Sequence, residues 1–278
     1  MNGKITINDE RTKTAMLRLE HVSKSFDGIR AVEKLSFDIE GGIITALIGP
    51  NGSGKTTAFN IMTGVIRVDL GKIFFKGKDV TRAAPHRIAG MGVARTFQNI
   101  RLFPQISVLD NVLLGISCEG GNGFWSALFQ TPTMKAEERK NTDKAIALLK
   151  KVRLEHKRNE LAMDLSHGQR RLVELARALG TNADLYLLDE PTAGVFPETR
   201  HKIMDIIQEL DAQKKAVLFI EHNMDVVTHI SEKIIVLNHG QKIAEGTPKE
   251  VVEDPAVIEA YLGRRRVHAP WVRELARS

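Results

Sequence analysis

Cysteine and long apolar segments are scarce in this sequence, and each absence excludes a class of protein. The single cysteine, Cys118, cannot form an internal disulfide and is typical of a reducing compartment. No apolar run reaches the roughly 18 residues that a membrane-spanning helix needs. The N-terminal segment 1–16 is polar and lacks the apolar centre of a signal peptide. Together these absences predict a cytosolic protein.

Aromatic residues are also few, at 5% of the chain, and they do not alternate with basic residues as they would on a base-stacking surface. The net charge is nevertheless +6, and part of the excess lies in the basic C-terminal tail 264–278. Basic tails contact anionic lipid or nucleic acid in some proteins. Because three consecutive arginines make only a small patch, a solvated tail is the favoured interpretation, and no nucleic-acid partner is expected.

Strand and helix patterns alternate along most of the chain. Alternating polarity predicts a strand at 16–23 and an edge hairpin at 71–80. Helices are predicted at 55–64, closed by Gly64, and at 197–213. Wholly apolar strands, which are typical of parallel sheets covered on both faces, are predicted at 42–50, 183–191, 215–222 and 232–240.

This alternation indicates an α/β fold around a largely parallel sheet. The region 108–169 differs, because its pattern is mostly helical. It includes the segment 119–133, which is Gly-rich and then locally apolar. We interpret this region as a helical insertion within the α/β domain.

The segment 49–57, GPNGSGKTT, fits the phosphate-loop pattern G-x-x-x-x-G-K-[ST]. It follows a predicted strand and precedes a predicted helix, which is the context this pattern requires. Glycines allow successive backbone N–H groups to surround phosphate oxygens, and the helix N-terminus adds partial positive charge. Lys55 is expected to reach the β- and γ-phosphates, and the Thr56 hydroxyl to bind Mg²⁺. The predicted nucleotide-binding residues here are Gly49, Pro50, Asn51, Gly52, Ser53, Gly54, Lys55, Thr56 and Thr57.

The apolar strand LYLLDEP, 185–191, ends in two carboxylates. Asp189 is expected to hold Mg²⁺, directly or through water. Glu190 is the candidate general base that activates a water molecule beside the γ-phosphate. An Asp-Glu-Pro sequence also caps turns, and taken alone this alternative is equally good. The phosphate loop elsewhere in the chain favours the catalytic interpretation.

The segment LSHGQRRLVELARALG, 165–180, predicts a helix that Ser166 caps, with Gln169 completing a capping box. Its apolar face comprises Leu172, Leu175, Ala176 and Leu179, and the rest of its surface is largely covered by Arg170, Arg171, Glu174 and Arg177. The helix alone gives no reason for His167 and Gly168 to stand between the cap and the first turn. A helical glycine costs about 1 kcal/mol, but it lets another group approach the backbone closely.

Six motifs, in order, resemble those of one family. They are 25–32 with Phe26, the phosphate loop, 96–99 with Gln98, 165–169, the acidic strand end, and 219–223 with His222. Over residues 17–263 the chain resembles the ATP-binding subunit of an ATP-binding-cassette (ABC) transporter. The resemblance implies one P-loop NTPase domain with an antiparallel β subdomain and a helical subdomain at about 100–170. The segments 1–16 and 264–278 would be an extension and a tail.

In this family two subunits enclose ATP head to tail, and this implies roles for the other motif residues. Ser166, Gly168 and Gln169 would contact the γ-phosphate bound by the partner subunit. Phe26 would stack on the adenine, although a core phenylalanine is the alternative. Gln98 would contact Mg²⁺ and the attacking water and relay closure to a membrane partner, and His222 would contact the γ-phosphate and orient Glu190. Taken alone, Gln98 is a polar loop residue and His222 a strand-end histidine.

Two positions depart from the family pattern. His167 stands where glycine is common, and a larger side chain is tolerable there if it points away from the nucleotide. Phe196 stands where many members have aspartate, in the loop that crosses the dimer interface. Phe196 cannot accept hydrogen bonds from the partner's phosphate loop, so we expect a heterodimer with two unequal ATP sites.

The segments 94–115, 124–129, 193–197 and 245–263 resemble the subunits of high-affinity branched-chain amino-acid importers. Such importers pair two different ATPase subunits with two membrane permease subunits and a periplasmic binding protein. The chain would then be peripheral, on the cytoplasmic face of the inner membrane. Urea or amide uptake and lipopolysaccharide transport stay open, because cargo never touches this subunit. A soluble ABC ATPase acting on ribosomes or DNA is disfavoured by the single cassette and the lack of heptads.

Overall fold

The computed structural model describes residues 15–116 and 132–262. Within these ranges the strands form two sheets of different construction. The predictions for the extension 1–16, for the apolar stretch 124–129 and for the basic tail 264–278 lie wholly or almost wholly outside the described residues.

The first sheet is antiparallel throughout and has the order β2-β1-β4-β5. Its short hairpin β4–β5 lies at the edge, as the sequence predicts for 71–80. This sheet confirms the antiparallel β subdomain that the resemblance implies. Its strands are β1 (Ala15–Phe26), β2 (Ile29–Glu40), β4 (Leu70–Phe75) and β5 (Lys78–Asp79).

The second sheet has the order β10-β9-β3-β8-β7-β6, and only β10 pairs antiparallel to its neighbour. Every residue of β3, β7 and β8 is buried, because both faces of these strands are covered. The α/β fold around a largely parallel sheet is therefore confirmed. Its strands are β3 (Ile44–Ile48), β6 (Val93–Arg95), β7 (Leu185–Asp189), β8 (Ala216–Ile220), β9 (Lys233–Asn238) and β10 (Gln241–Gly246).

The helices of the described residues pack against the second sheet or against one another. Their bounds are α1 (Lys55–Met62), α2 (Pro85–Gly90), α3 (Val108–Leu113), α4 (Pro132–Lys151), α5 (His167–Gly180), α6 (Pro197–Ala212), α7 (Met224–Ile230), α8 (Pro248–Glu253) and α9 (Pro255–Leu262). Helices α3, α4 and α5 contact one another, which agrees with the predicted helical region. None of the helices in the described part of the chain combines the length and the apolar character needed to cross a bilayer.

Two apolar cores cover the two faces of the parallel sheet. Alternate residues of one strand enter different cores: Leu187 joins the core shared with α1 and the antiparallel sheet, and Leu188 joins the core shared with α5 and α6. This arrangement holds the carboxyl ends of β3, β6, β7 and β8 at one edge of the sheet. The segments that follow these strands carry the phosphate loop, Gln98, Glu190 and His222.

Helix α5 confirms part of its prediction and corrects another part. Both capping-box hydrogen bonds are present, from Gln169 N to Ser166 Oγ at 3.3 Å and from Ser166 N to Gln169 Oε1 at 2.9 Å. The helix begins at His167, so His167 and Gly168 belong to the first turn rather than preceding it. The placement of Arg171 and Glu174 on the outer surface is wrong: both are buried, because the segment 97–101 crosses over them.

Candidate active site

A cleft of about 250 Å³ opens at the carboxyl edge of the parallel sheet. It brings together residues from four separate parts of the chain that the sequence assigned to one site. The lining residues are Ala31, Asn51, Gly52, Ser53, Gly54, Lys55, Thr56, Thr57, Gln98, Glu190 and His222. Gly49 lies at the base of the loop, and Pro50 lines a neighbouring cleft with Asn51 and Ser53.

The loop 49–54 depends on glycine at its two ends. Gly49 has φ +150° and Gly54 has φ +100°. A Cβ atom on Gly49 would lie 2.1 Å from the carbonyl oxygen of Leu237, and one on Gly54 would lie 2.5 Å from that of Ala31. The backbone of neighbouring segments thus lies too close to Gly49 and Gly54 for a side chain, so only glycine permits this turn into α1.

Lys55, the first residue of α1, is buried beneath the loop. Its Nζ donates to the carbonyl oxygens of Gly49 at 2.7 Å and of Pro50 at 3.0 Å. Burial lowers the pKa of Lys55, and the nearby carboxylates of Glu190 and Asp189 oppose this change. Its ammonium group therefore lies between the loop carbonyls and the acidic strand end, where it can meet a phosphate.

Glu190 is the centre of a polar cluster at the other side of the cleft. Its Oε1 lies 3.3 Å from the donor Nε2 of Gln98 and 3.2 Å from Nε2 of His222. Glu190 has φ +48°, which is unfavourable for a residue with a side chain. This backbone conformation is local strain at a functional position, and the two contacts of Oε1 hold the carboxylate at the cleft.

Asp189 lies behind Glu190 and is 3% exposed. Its Oδ2 lies 3.6 Å from Nη2 of Arg95, and its backbone N donates to Thr96 Oγ1 at 3.1 Å. Burial raises the pKa of Asp189, and Arg95 opposes the rise. The carboxylate is thus held beside a cation in a site of low solvent access.

Sequence reasoning missed two buried groups that support this edge. Arg95 donates to Asn60 Oδ1 at 2.8 Å and so connects Asp189 to α1. Glu221 accepts from both the backbone N and the hydroxyl of Thr192, at 2.8 and 2.7 Å, and from His222 N at 3.2 Å. Glu221 lies inside a motif that the sequence singled out, and its position after an apolar strand is the signal that could have found it.

Phe26 is one of the predicted site residues that do not line this cleft. It ends β1, is 42% exposed, and lies with Lys24 Nζ 5.4 Å from its ring centroid. Phe26 is therefore not a core residue, and that alternative is wrong. Its hairpin partner β2 supplies Ala31 to the cleft, so the ring lies on the strand pair that borders the phosphate loop.

Ser166, Gly168 and Gln169 do not line the cleft in the described part of this chain. The side chains of Ser166 and Gln169 are occupied in the capping box. Gly168 has no comparable local reason: the three atoms nearest to a Cβ atom there, outside the helix backbone, all belong to Thr199 and lie at 3.4 Å or more. His167 turns toward the segment after β7, with Nε2 3.4 Å from the Ala193 carbonyl oxygen. The fold of this chain thus leaves room for a side chain at position 168 and does not by itself require glycine there.

Phe196 is 83% exposed and occupies the N-cap position of α6 without a side-chain cap. Serine, threonine, aspartate and asparagine are favoured at this position, because their oxygens accept from the first N–H groups of the helix. The chain gives up this stabilisation and places a large apolar ring in solvent instead.

The donor set suits a nucleotide and the ion that accompanies it. The described residues contain no cluster of three or more histidine, cysteine or acidic side chains that could enclose a metal. Magnesium in nucleotide sites does not need such an enclosure, since it keeps waters and takes phosphate oxygens with one or two protein ligands. The Thr56 hydroxyl and the buried Asp189 carboxylate are hard oxygen donors of the kind that magnesium prefers.

Comparison with known protein families and relatives also indicates a nucleotide-binding subunit of a transporter. A family model described as "ABC transporter" matches residues 32–193, and one described as "Branched-chain amino acid ATP-binding cassette transporter" matches 241–267. The chain is 38% identical to a probable branched-chain amino acid transport ATP-binding protein, LivG, of Archaeoglobus fulgidus, over 89% of this chain and 95% of that protein.

Solved structures agree. A nucleotide-free ATP-binding cassette from an ABC transporter superposes with a TM-score of 0.77 at 37% identity, over 90% of this chain and all of that one. A dimeric cassette in a post-hydrolysis state, bound to ADP and Pi, superposes with a TM-score of 0.73 at 25% identity, over 84% and 99%. The chain therefore belongs to the ABC transporter family, as an ATP-binding subunit that hydrolyses ATP.

Proposed function

We propose that this chain binds Mg-ATP in the cleft at 49–57 and hydrolyses it to power high-affinity uptake of branched-chain amino acids. The observation that carries the catalytic part is the Glu190 cluster. One carboxylate oxygen is shared by Gln98 and His222, and the group faces Lys55 and Thr56 across a cleft of about 250 Å³.

In the proposed reaction the N–H groups of the phosphate loop and Lys55 bind the phosphates, and Phe26 stacks on the adenine. Glu190 takes a proton from a water molecule whose oxygen attacks the γ-phosphorus. The bond from that phosphorus to the bridging oxygen of ADP breaks, leaving ADP and phosphate. His222 holds Glu190 in position and contacts the γ-phosphate. General-base catalysis of this kind supplies about 10² to 10⁴ in rate.

Thr56, Asp189 and Gln98 are the proposed magnesium ligands. When bound, the ion neutralises charge on the β- and γ-phosphates. Arg95 restrains the carboxylate of Asp189 from behind, and Gln98 reaches the cleft from the loop after β6.

A second ATPase subunit completes the site. Ser166, Gly168 and Gln169 would approach the γ-phosphate in that subunit, where the N-terminus of α5 favours an anion. Gly168 supports this proposal, because a Cβ atom would fit at this position within the chain and the fold therefore does not explain the glycine. Phe196 supports a different chain as the partner, with two unequal sites. A high ATPase rate from purified homodimer of this chain would contradict that point.

The exposed apolar residues of the helical region are the proposed docking surface for a membrane permease. Phe103, Leu161 and Met163 are 56%, 40% and 55% exposed. They lie together, because Met163 N donates to the Pro104 carbonyl oxygen at 3.2 Å and Leu161 pairs with Ser107. Exposed apolar groups of this kind mark protein contacts. The loop that begins at Gln98 leads directly to this surface.

Branched-chain amino acids are the proposed cargo because of the match at 241–267 and the name of the Archaeoglobus relative. The complex would contain two permease subunits and act with a periplasmic binding protein. This chain would sit on the cytoplasmic face of the inner membrane, as a peripheral subunit. Urea or amide uptake is the alternative within the same mechanism.

A detergent pull-down of this chain from native membranes tests the proposal. Recovery of two multi-spanning proteins and a second, different ATPase subunit is the expected result. Uptake of labelled leucine by the reconstituted complex, compared with urea, then tests the cargo. Recovery from the soluble fraction with ribosomes or DNA, and without a membrane partner, would contradict transport while leaving the ATPase chemistry standing.

A further inference from the structure

Arg171 of α5 is buried and binds two consecutive carbonyl groups of a distant loop. Its Nη1 donates to the carbonyl oxygen of Phe97 and its Nη2 to that of Gln98, both at 2.8 Å. The residue is 3% exposed, although the helical pattern places it on the polar side. A planar guanidinium can span two carbonyl oxygens in this way, whereas a lysine ammonium offers a single point charge.

Glu174, one turn along the same helix, completes the arrangement. Its Oε2 accepts from Arg171 Nη1 at 2.9 Å, and its Oε1 accepts from the backbone N of Arg101 at 3.2 Å. Glu174 is 1% exposed. Helix α5 thus binds both ends of the segment 97–101. Arg171 binds the carbonyl groups at its start, and Glu174 binds the backbone N–H at its end.

The side chain of Gln98 faces the opposite way, into the active site. It lies within hydrogen-bond distance of Glu190 while its own backbone carbonyl is bound by Arg171. The ring of Phe97 contacts both Arg101 and Arg95, with guanidinium carbons 4.1 and 4.9 Å from its centroid. The loop is therefore held by its backbone contacts with α5, by the contact of Gln98 with Glu190, and by the contacts of the Phe97 ring with two arginines.

A buried ion pair seldom stabilises a protein more than apolar residues of similar volume would, because removing two charges from water costs free energy. Here both members of the pair also bind the backbone of 97–101, which points to orientation rather than to stability. We propose that Arg171 and Glu174 are positioning residues that lock the segment 97–101 to α5. The N-terminus of α5 and Gln98 then move as one unit, and contact made at Ser166 and Gly168 reaches Glu190 through Gln98. This inference rests on the proposed role of Gln98.

The variant Arg171→Lys keeps the charge and removes the fork. We expect kcat for ATP hydrolysis to fall about tenfold, with KM for ATP changed less than about twofold, because the phosphate loop is untouched. Arg177→Lys is the matched control, since Arg177 is an arginine of the same helix that is partly buried and lies near Glu174. It should leave kcat unchanged. Glu174→Gln, which preserves shape, should act in the same direction as Arg171→Lys.

Non-additivity distinguishes positioning from general damage. In a Gln98→Ala background Arg171→Lys should have no further effect on kcat, because both changes remove one coupling. An equal fall in both backgrounds, or no fall in either, would overturn the inference. Amide hydrogen exchange gives a readout that does not depend on the role of Gln98: Arg171→Lys should speed exchange at 97–101. If Gln98→Ala alone leaves kcat normal, the proposed role of Gln98 fails, whereas unchanged exchange at 97–101 in Arg171→Lys refutes the lock itself.

Discussion

Nε2 of His222 lies 3.2 Å from Oε1 of Glu190, although the two residues follow different strands. The contact forms because β7 and β8 are parallel neighbours whose carboxyl ends meet at the same edge, with Asp189 paired to Ile220. Glu221 reinforces it by joining Thr192 after β7 to His222 after β8. The geometry of the proposed base is thus a consequence of sheet register.

Replacing His222 by alanine should slow hydrolysis without preventing ATP binding. A hydrogen bond to a charged group contributes about 1.5–3 kcal/mol, so kcat should fall about ten- to a hundredfold. Steady-state ATPase assays give kcat, and equilibrium binding of a fluorescent ATP analogue gives affinity. His229→Ala, at an exposed position of α7, is the control and should behave as the parent. Equal rates for the two variants would remove His222 from the site.

Gly168→Ala should separate folding from function. The nearest atoms to the added Cβ, those of Thr199, lie at 3.4 Å or more, which is ordinary contact. Alanine is favoured over glycine in a helix by up to about 1 kcal/mol. Thermal unfolding should therefore occur at an equal or higher temperature, while ATPase activity of the assembled complex falls at least about tenfold because the partner's phosphate is obstructed. Gly90→Ala, with open space around it, should leave activity unchanged. Full activity in Gly168→Ala would refute the contact across the interface.

Phe196→Asp should stabilise the isolated subunit. Aspartate at an N-cap gains about 1 kcal/mol over a residue without a cap, which corresponds to a rise in Tm of about 2 °C for a chain of this size. Phe196→Ala, which removes the ring without adding a cap, should leave Tm nearly unchanged. Differential scanning calorimetry compares the three proteins. A lower Tm for Phe196→Asp than for Phe196→Ala would show that the ring stabilises the subunit by itself.

Both tyrosines of the chain should resist ionisation. Burial raises the pKa of Tyr186 and of Tyr261 to about 12, against an ordinary value near 10. Since the folded state favours the neutral phenols, their contribution to stability is complete below about pH 10 and is lost as the pH rises to about 12. Ultraviolet titration should show little tyrosinate at pH 10.5 in native protein and substantial tyrosinate in guanidinium. Equal titration in both states would contradict this burial.

Local pattern predicted most of the elements and brought the phosphate loop, Gln98, Glu190 and His222 to one cleft, because each of these motifs is contiguous in sequence. The roles of these residues stay predictions. The same reasoning failed for Arg171 and Glu174. A helical projection assigns faces by spacing, and it cannot show that the segment 97–101, more than seventy positions away in sequence, covers the polar side of α5. Arg95 was missed for the same reason, since its partner Asp189 lies on a neighbouring strand.

The most direct test of the account is Glu190→Gln in the assembled complex, measured for ATP binding and for single-turnover hydrolysis. Glutamine keeps the shape of the side chain and cannot accept the proton from water. We predict that ATP binds with unchanged affinity, that hydrolysis slows by about 10² to 10⁴, and that closed dimers accumulate in ATP. Normal turnover by this variant would contradict the assignment of Glu190 as the base and the mechanism built on it.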